Sequence, residues 1–195
     1  MQIYDPVSGK LVDHPESERE ELTVEVTGPF IYFLSTVNVD RLEPEFRITP
    51  LARTLPSRGA THDIVMVRPL RDPSINEDDE VSRERYAIKI WEVMQSAYAD
   101  GSLTDLRYDE TGQIGTKGNG PLVVEYVRCG GWEWIPVGPS SVNLEFQSWT
   151  VSQNGNDERA LLVCADGDIL TIPIGGKAVS VASTSNANLR FAVCT

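Results

Sequence analysis

Read for hydrophobic and polar positions, the chain is mostly a series of short β-type stretches. Residues 22–27 (LTVEVT) alternate apolar and polar, the period of a half-buried strand. Residues 30–37 (FIYFLSTV) are apolar at nearly every position, which suits a strand covered on both faces. A short strand is predicted at 46–49 (FRIT) and a clearer one at 63–68 (DIVMVR). The pattern then changes period. Ala87, Ile90, Trp91, Met94 and Tyr98 recur at helical spacing, which predicts one amphipathic helix over 82–100, with Ser82 as N-cap and Gly101 just past the last turn. Beyond it, β-type stretches return at 121–129, 132–137, 143–151, 160–165, 169–174, 178–183 and 189–194. Asn154-Gly155 and Asp166-Gly167 supply turns between them. Residues 1–21 are polar and acidic and read as a loose arm, 71–80 as a polar loop, and the glycine-rich 109–120 as a flexible loop.

These elements predict a mainly β, antiparallel sandwich or barrel-like domain over 22–195 with one inserted helix. A length of 195 residues, 41% hydrophobic, suffices for one sizeable core. No apolar run approaches the roughly 20 residues of a membrane span. The start of the chain does not resemble a secretory signal, so the reading is cytoplasmic.

Charge and composition narrow the chemistry. A formal charge of −12 disfavours nucleic acid and anionic headgroups. The cysteines, Cys129, Cys164 and Cys194, lie in apolar strand-like sequence at no metal-ligand spacing and read as buried thiols. With two histidines and no G-x-S-x-G, no Ser/His/Asp set stands out. Glycines at 109–120 and 175–176 lack the spacing of a phosphate-binding loop. Trp132 and Trp134 share one strand face and would stack on a sugar if exposed. The most distinctive acidic feature is LLVCADGDILTIPI, in which Asp166 and Asp168 flank Gly167 between two apolar runs. A turn needs the first carboxylate and the glycine, but not the second carboxylate.

The order of these features carries a resemblance. FIYFLSTV, then TPLARTLPSRGATHDIVMVRPL, the helix, ADGSLTD, VVEYVRC and finally LLVCADGDILTIPIGGKAVSVAS resembles the C-terminal domain of the diacylglycerol kinase and sphingoid-base kinase family over residues 24–183. In that family a strand leads to Pro-x-Ala, an acidic-Gly turn and a further strand. A helix ending near Gly-Ser-His follows, and later an Asp-Gly-Glu turn. The resemblance implies that Asp166, Gly167 and Asp168 face the nucleotide and that Asp168 stands where the family has its catalytic or nucleotide-contacting acid. It further implies ATP with magnesium as the cofactor of the complete enzyme and a sphingoid base or diacylglycerol as substrate.

Three departures shape what is expected. Asp168 is one methylene shorter than Glu, and a general base must reach its proton; a misplacement of about 1 Å costs on the order of 10²-fold. Arg58 replaces the acid of Ser57-Arg58-Gly59, so no magnesium is expected there. Leu103 replaces the histidine of Gly-Ser-His. The family's nucleotide-binding domain has no counterpart in residues 1–23, so the chain is not expected to phosphorylate a lipid alone. The expected partners are therefore that domain and the lipid, with peripheral membrane placement. Missing upstream strands would also leave a sheet edge to be covered by the arm or by a second copy in a homodimer. Two other readings remain open: a non-catalytic interaction module on the same fold, and an unrelated carbohydrate-binding sandwich using Trp132 and Trp134.

Overall fold

The computed structural model describes residues 1–15, 24–26, 32–68, 72–74, 80–117, 119–135, 161–165, 168–172, 176–182 and 192–194. The chain divides into two compact units, Met1–Gly130 and Gly131–Thr195. It is mainly antiparallel β-sheet with one long helix, as the pattern predicts.

The first unit is built on a five-stranded sheet. Its strands are β1 (Gln2–Asp5), β2 (Lys10–Asp13), β3 (Tyr32–Val37), β4 (His62–Val67) and β7 (Glu125–Cys129), in the order β2-β1-β7-β4-β3. All neighbours are antiparallel. β4 is buried at all six positions, which explains its near-continuous apolar sequence. Alternation assigns Tyr4, Leu11, Tyr32, Leu34, Val65, Val67 and Tyr126 to one face. These residues join one core with Val93 and Ala97 of α2 (Glu80–Ala99) and with Ile48, Leu51, Leu103, Leu106 and Tyr108.

Four expectations for the strands and loops of this unit need correction. The first thirteen residues are not loose, because β1 and β2 form a hairpin and Ile3 pairs with Val127 of β7. The turn is locally stabilised: the Asp5 carboxylate accepts the amides of Val7 (3.0 Å) and Ser8 (3.2 Å), and Gly9 takes a positive φ of 65°. Residues 46–49 are not a strand; they lead into a one-turn helix α1 (Leu51–Thr54) and return the chain beneath the end of α2, where the Arg47 amide donates to Ala97 O at 2.9 Å. Residues 107–115 are a small hairpin of β5 (Arg107–Tyr108) and β6 (Ile114–Gly115) rather than a flexible loop. The Asp109 carboxylate orders its turn by accepting from Thr111 N, Thr111 Oγ1 and Gln113 N at 2.7–2.9 Å. Of the predicted strand 22–27, residues 24–26 are described and are not in a strand.

The helix stands where its sequence period places it, but rotated. Trp91 is 63% and Tyr98 47% exposed, whereas Val93 and Ala97 are fully buried and Ile90 and Met94 are partly buried. The inward stripe is thus Ile90, Val93, Met94 and Ala97. Ser82 lies inside the helix rather than at its cap, since the helix begins at Glu80. Gly101 ends it as expected, with φ 79° and its amide donating to Ser96 O at 3.0 Å. A Cβ here would lie 2.8 Å from Arg47 Cδ, so the same glycine admits the crossing chain.

In the second unit, β8 (Gly131–Trp134), β11 (Lys177–Val181) and β12 (Ala192–Cys194) form a sheet in the order β12-β11-β8, and β9 (Leu161–Ala165) pairs with β10 (Asp168–Ile172). Trp132 and Trp134 do share a face, opposite Ser180 and Ala178, and both are half-buried. The predicted strand 143–151 and the Asn154-Gly155 turn lie outside the described residues. No helix among the described residues is long and apolar enough to cross a membrane.

Candidate functional site

The sequence-derived candidate is the β9–β10 turn. Asp168 pairs with Ala165 and Ile169 with Cys164, so the loop between the strands is the two residues Asp166 and Gly167, which themselves lie outside the described residues. This is the connection length that Asp-Gly favours. Asp168 opens β10, and its side chain is exposed. Leu170 and Ile172 share its face, half-buried and fully buried respectively. The carboxylate therefore stands at the rim of a face whose other end is interior, while Ile169 on the opposite face is 72% exposed.

The other residues singled out from the sequence belong to the first unit. Pro50-Leu51-Ala52 forms the start of α1. Arg58 is exposed in the following turn, where Asn38 Nδ2 donates to Gly59 O at 3.3 Å. Leu103 is fully buried in a 3-10 turn (Ser102–Asp105) and is a core side chain. Among the described residues, no group of three His, Cys, Asp or Glu side chains is arranged to hold a metal.

Sequence reasoning missed the buried ionic groups. Asp63 and Arg128 are direct cross-strand partners on β4 and β7 and are 1% and 7% exposed. Arg128 Nε donates to Asp63 Oδ1 at 2.8 Å, Nη1 to Leu55 O at 2.6 Å and Nη2 to Leu51 O at 3.3 Å. One guanidinium thus neutralises a buried acid and ties down the carbonyls of Leu51 and Leu55 at the two ends of α1. Tyr126 lies beside this pair, and burial, reinforced by Asp63, raises its hydroxyl pKa. At the far end of the same strands Arg68 grips Glu125 bidentately, with Nε–Oε1 2.5 Å and Nη2–Oε2 2.8 Å. Neither pair has a local sequence signal, because the partners meet only through strand register.

Ser35 Oγ and His62 Nδ1 are 2.9 Å apart across the β3–β4 ladder. This resembles the first half of a nucleophile–base pair, but Asp63 cannot complete it. Adjacent strand residues point to opposite faces, and Asp63 is committed to Arg128 on the other side. Burial holds the His62 pKa below its ordinary value, an effect only partly opposed by Asp63. The folded state therefore keeps His62 neutral at pH values where the unfolded chain binds a proton. Stability is unaffected by this group above about pH 6.5 and falls as pH drops from there toward the folded pKa. The unfolding free energy from urea titration should be lower at pH 5.5 than at pH 7.5, and His62→Gln should reduce that difference. An unchanged difference would remove His62 as its source.

A groove of about 270 Å³ lies between the N-terminal hairpin, α1 and the end of α2, lined by Tyr4, Asp40, Arg47, Arg53, Thr104 and Asp105 among others. Asp40 pairs with Arg41 (3.1 Å) and Arg47 (3.3 Å), and the Arg41 hydrogen bond holds the Asp40 carboxyl below the usual carboxylate range.

No family model, curated protein or solved structure matches the chain.

Proposed function

We propose that this chain is the lipid-substrate-side, C-terminal domain of a sphingoid-base or diacylglycerol kinase-like protein. In this reading Asp166, Gly167 and Asp168 form the acidic turn that meets ATP and magnesium, completed by a nucleotide-binding domain. The order of motifs in the sequence motivates the reading. The observation that carries it is the β9–β10 hairpin: its two-residue Asp-Gly connection leaves the Asp168 carboxylate exposed at a strand start, as a nucleotide- or hydroxyl-facing acid requires. Within the first unit, Arg128 holds the single-turn α1 and so fixes the Pro50-Leu51-Ala52 segment.

Lipid binding by the chain alone tests the substrate side. A long-chain sphingoid base and a diacylglycerol, each presented in neutral detergent micelles, are titrated against the folded protein by calorimetry. Saturable binding of either supports the proposal, and absence of both sinks it. The acid is tested in the protein joined to a nucleotide-binding domain. Asp168→Ala should lower ATP-dependent lipid phosphorylation by about 10²-fold, and Asp168→Glu, which restores the methylene, should raise it. Equal rates for all three would remove Asp168 from the reaction.

A further inference from the structure

Ser74 combines an exposed position, a built polar environment and an acidic sequence downstream. Its amide and hydroxyl both donate to Asp72 Oδ1, at 2.8 and 2.7 Å. Lys89 of α2 donates to Ser74 Oγ at 2.9 Å and forms an ion pair with Asp72 Oδ2. The Asp72 side chain is fully buried, and Lys89 Nζ lies 5.8 Å from the Tyr108 ring centroid. Gly112 of the β5–β6 hairpin closes the site so tightly that a Cβ there would sit 2.3 Å from Ser74 Oγ and 2.4 Å from Asp72 Oδ1. Residues 72–74 are therefore pinned to both the helix and the hairpin through one serine and one aspartate. In the sequence, Glu77, Asp78, Asp79 and Glu80 follow Ser74 at the third to sixth positions.

We propose that Ser74 is a phosphorylation site for a serine kinase whose basic groove reads those acids, and that the phosphate keeps residues 72–74 from docking on α2 and the β5–β6 hairpin. In the transfer, Ser74 Oγ bonds to the γ-phosphorus of ATP and the bond from that phosphorus to the bridging oxygen breaks. ADP leaves, and the serine proton passes to the kinase's base. The ester removes the Oγ–H that Asp72 accepts and sets a charge of about −1.5 to −2 beside a buried carboxylate. Lys89 is already neutralised by Asp72, and Gly112 leaves no room for a phosphate on its side. The kinase acts on the undocked segment, and the product cannot return to the docked one.

The test uses the full chain, an acid-directed serine kinase and ATP, with mass spectrometry locating the phosphate. A free peptide of residues 71–80 sets the rate without docking, and Ser74→Ala is the blank. Labelling at Ser74 is expected, slower than in the peptide. Gly112→Ala, which crowds the docked serine, should speed it several-fold toward the peptide rate. Lys89→Gln serves the same purpose if Gly112→Ala fails to fold. The phosphorylated chain should melt lower by on the order of 5 °C. An unlabelled peptide, a chain unlabelled in every variant, equal rates with and without the opening substitution, or an unchanged melting temperature would each overturn the proposal.

Discussion

Arg128→Met is expected to lower the unfolding free energy by about 3–5 kcal/mol, the cost of leaving a buried charge without its partner. The guanidinium has four contacts to lose. Two go to Asp63 Oδ1, at 2.8 Å from Nε and 2.7 Å from Nη2, and the others go to the carbonyls of Leu55 and Leu51. Asp63 is 1% exposed, and its Oδ2 has no hydrogen-bond partner, so water cannot replace the arginine without opening the sheet. The double variant Asp63→Leu with Arg128→Met should cost less than the sum of the two single changes, because it removes the stranded charge. Urea unfolding of the four proteins measures the coupling. A cost for Arg128→Met below about 1 kcal/mol would mean that the pair behaves as an exposed one.

Leu103→Ala is the second large effect, about 2–5 kcal/mol. Leu103 is fully buried in the core that α2 closes over the sheet. Truncation there removes apolar contact and leaves a void bounded by a 3-10 turn on one side and α2 on the other. Trp91→Ala is the informative control. Trp91 is far larger but 63% exposed, so its loss should cost about 0.5 kcal/mol or less. If the order of the two were reversed, the helix would present Trp91 rather than Val93 to the core.

That comparison also shows where the sequence was readable. The period of α2 is plain in the chain, but its phase is not. Large apolar residues dominate any visual stripe, whereas the core takes the small Ala97 and the crossing of Arg47–Pro50 takes the space left by Gly101. The β9–β10 hairpin was legible because Asp-Gly between two apolar runs is a local signal. β4 was legible because burial on both faces leaves an unbroken apolar run. The N-terminal hairpin was obscured by its edge position, where strands carry polar residues, although Asp5-Pro6 followed by Gly9 is a turn signal between two alternating stretches. The hairpin at 107–115 was hidden by its glycines, which read as flexibility but provide a positive φ at Gly112 and close packing against Ser74. For the candidate site, Asp168 could be found from the turn alone. The ion pairs Asp63–Arg128 and Arg68–Glu125 could not, since each joins residues more than fifty positions apart.

The pairing of β1 with β7 has a consequence for the order of events during synthesis. Gln2 is paired in the sheet with Arg128, so β1, the earliest of these five strands in chain order, joins the sheet only when β7 follows. At about 5–20 residues per second this leaves the N-terminal hairpin waiting for roughly 6–25 seconds. A two-stranded hairpin is at best marginal by itself in that interval. The β3–β4 pair forms meanwhile, with one edge of β4 still open to any extended segment nearby. The arrival of β7 therefore closes two exposed edges at once, and it brings with it the arginine that neutralises Asp63.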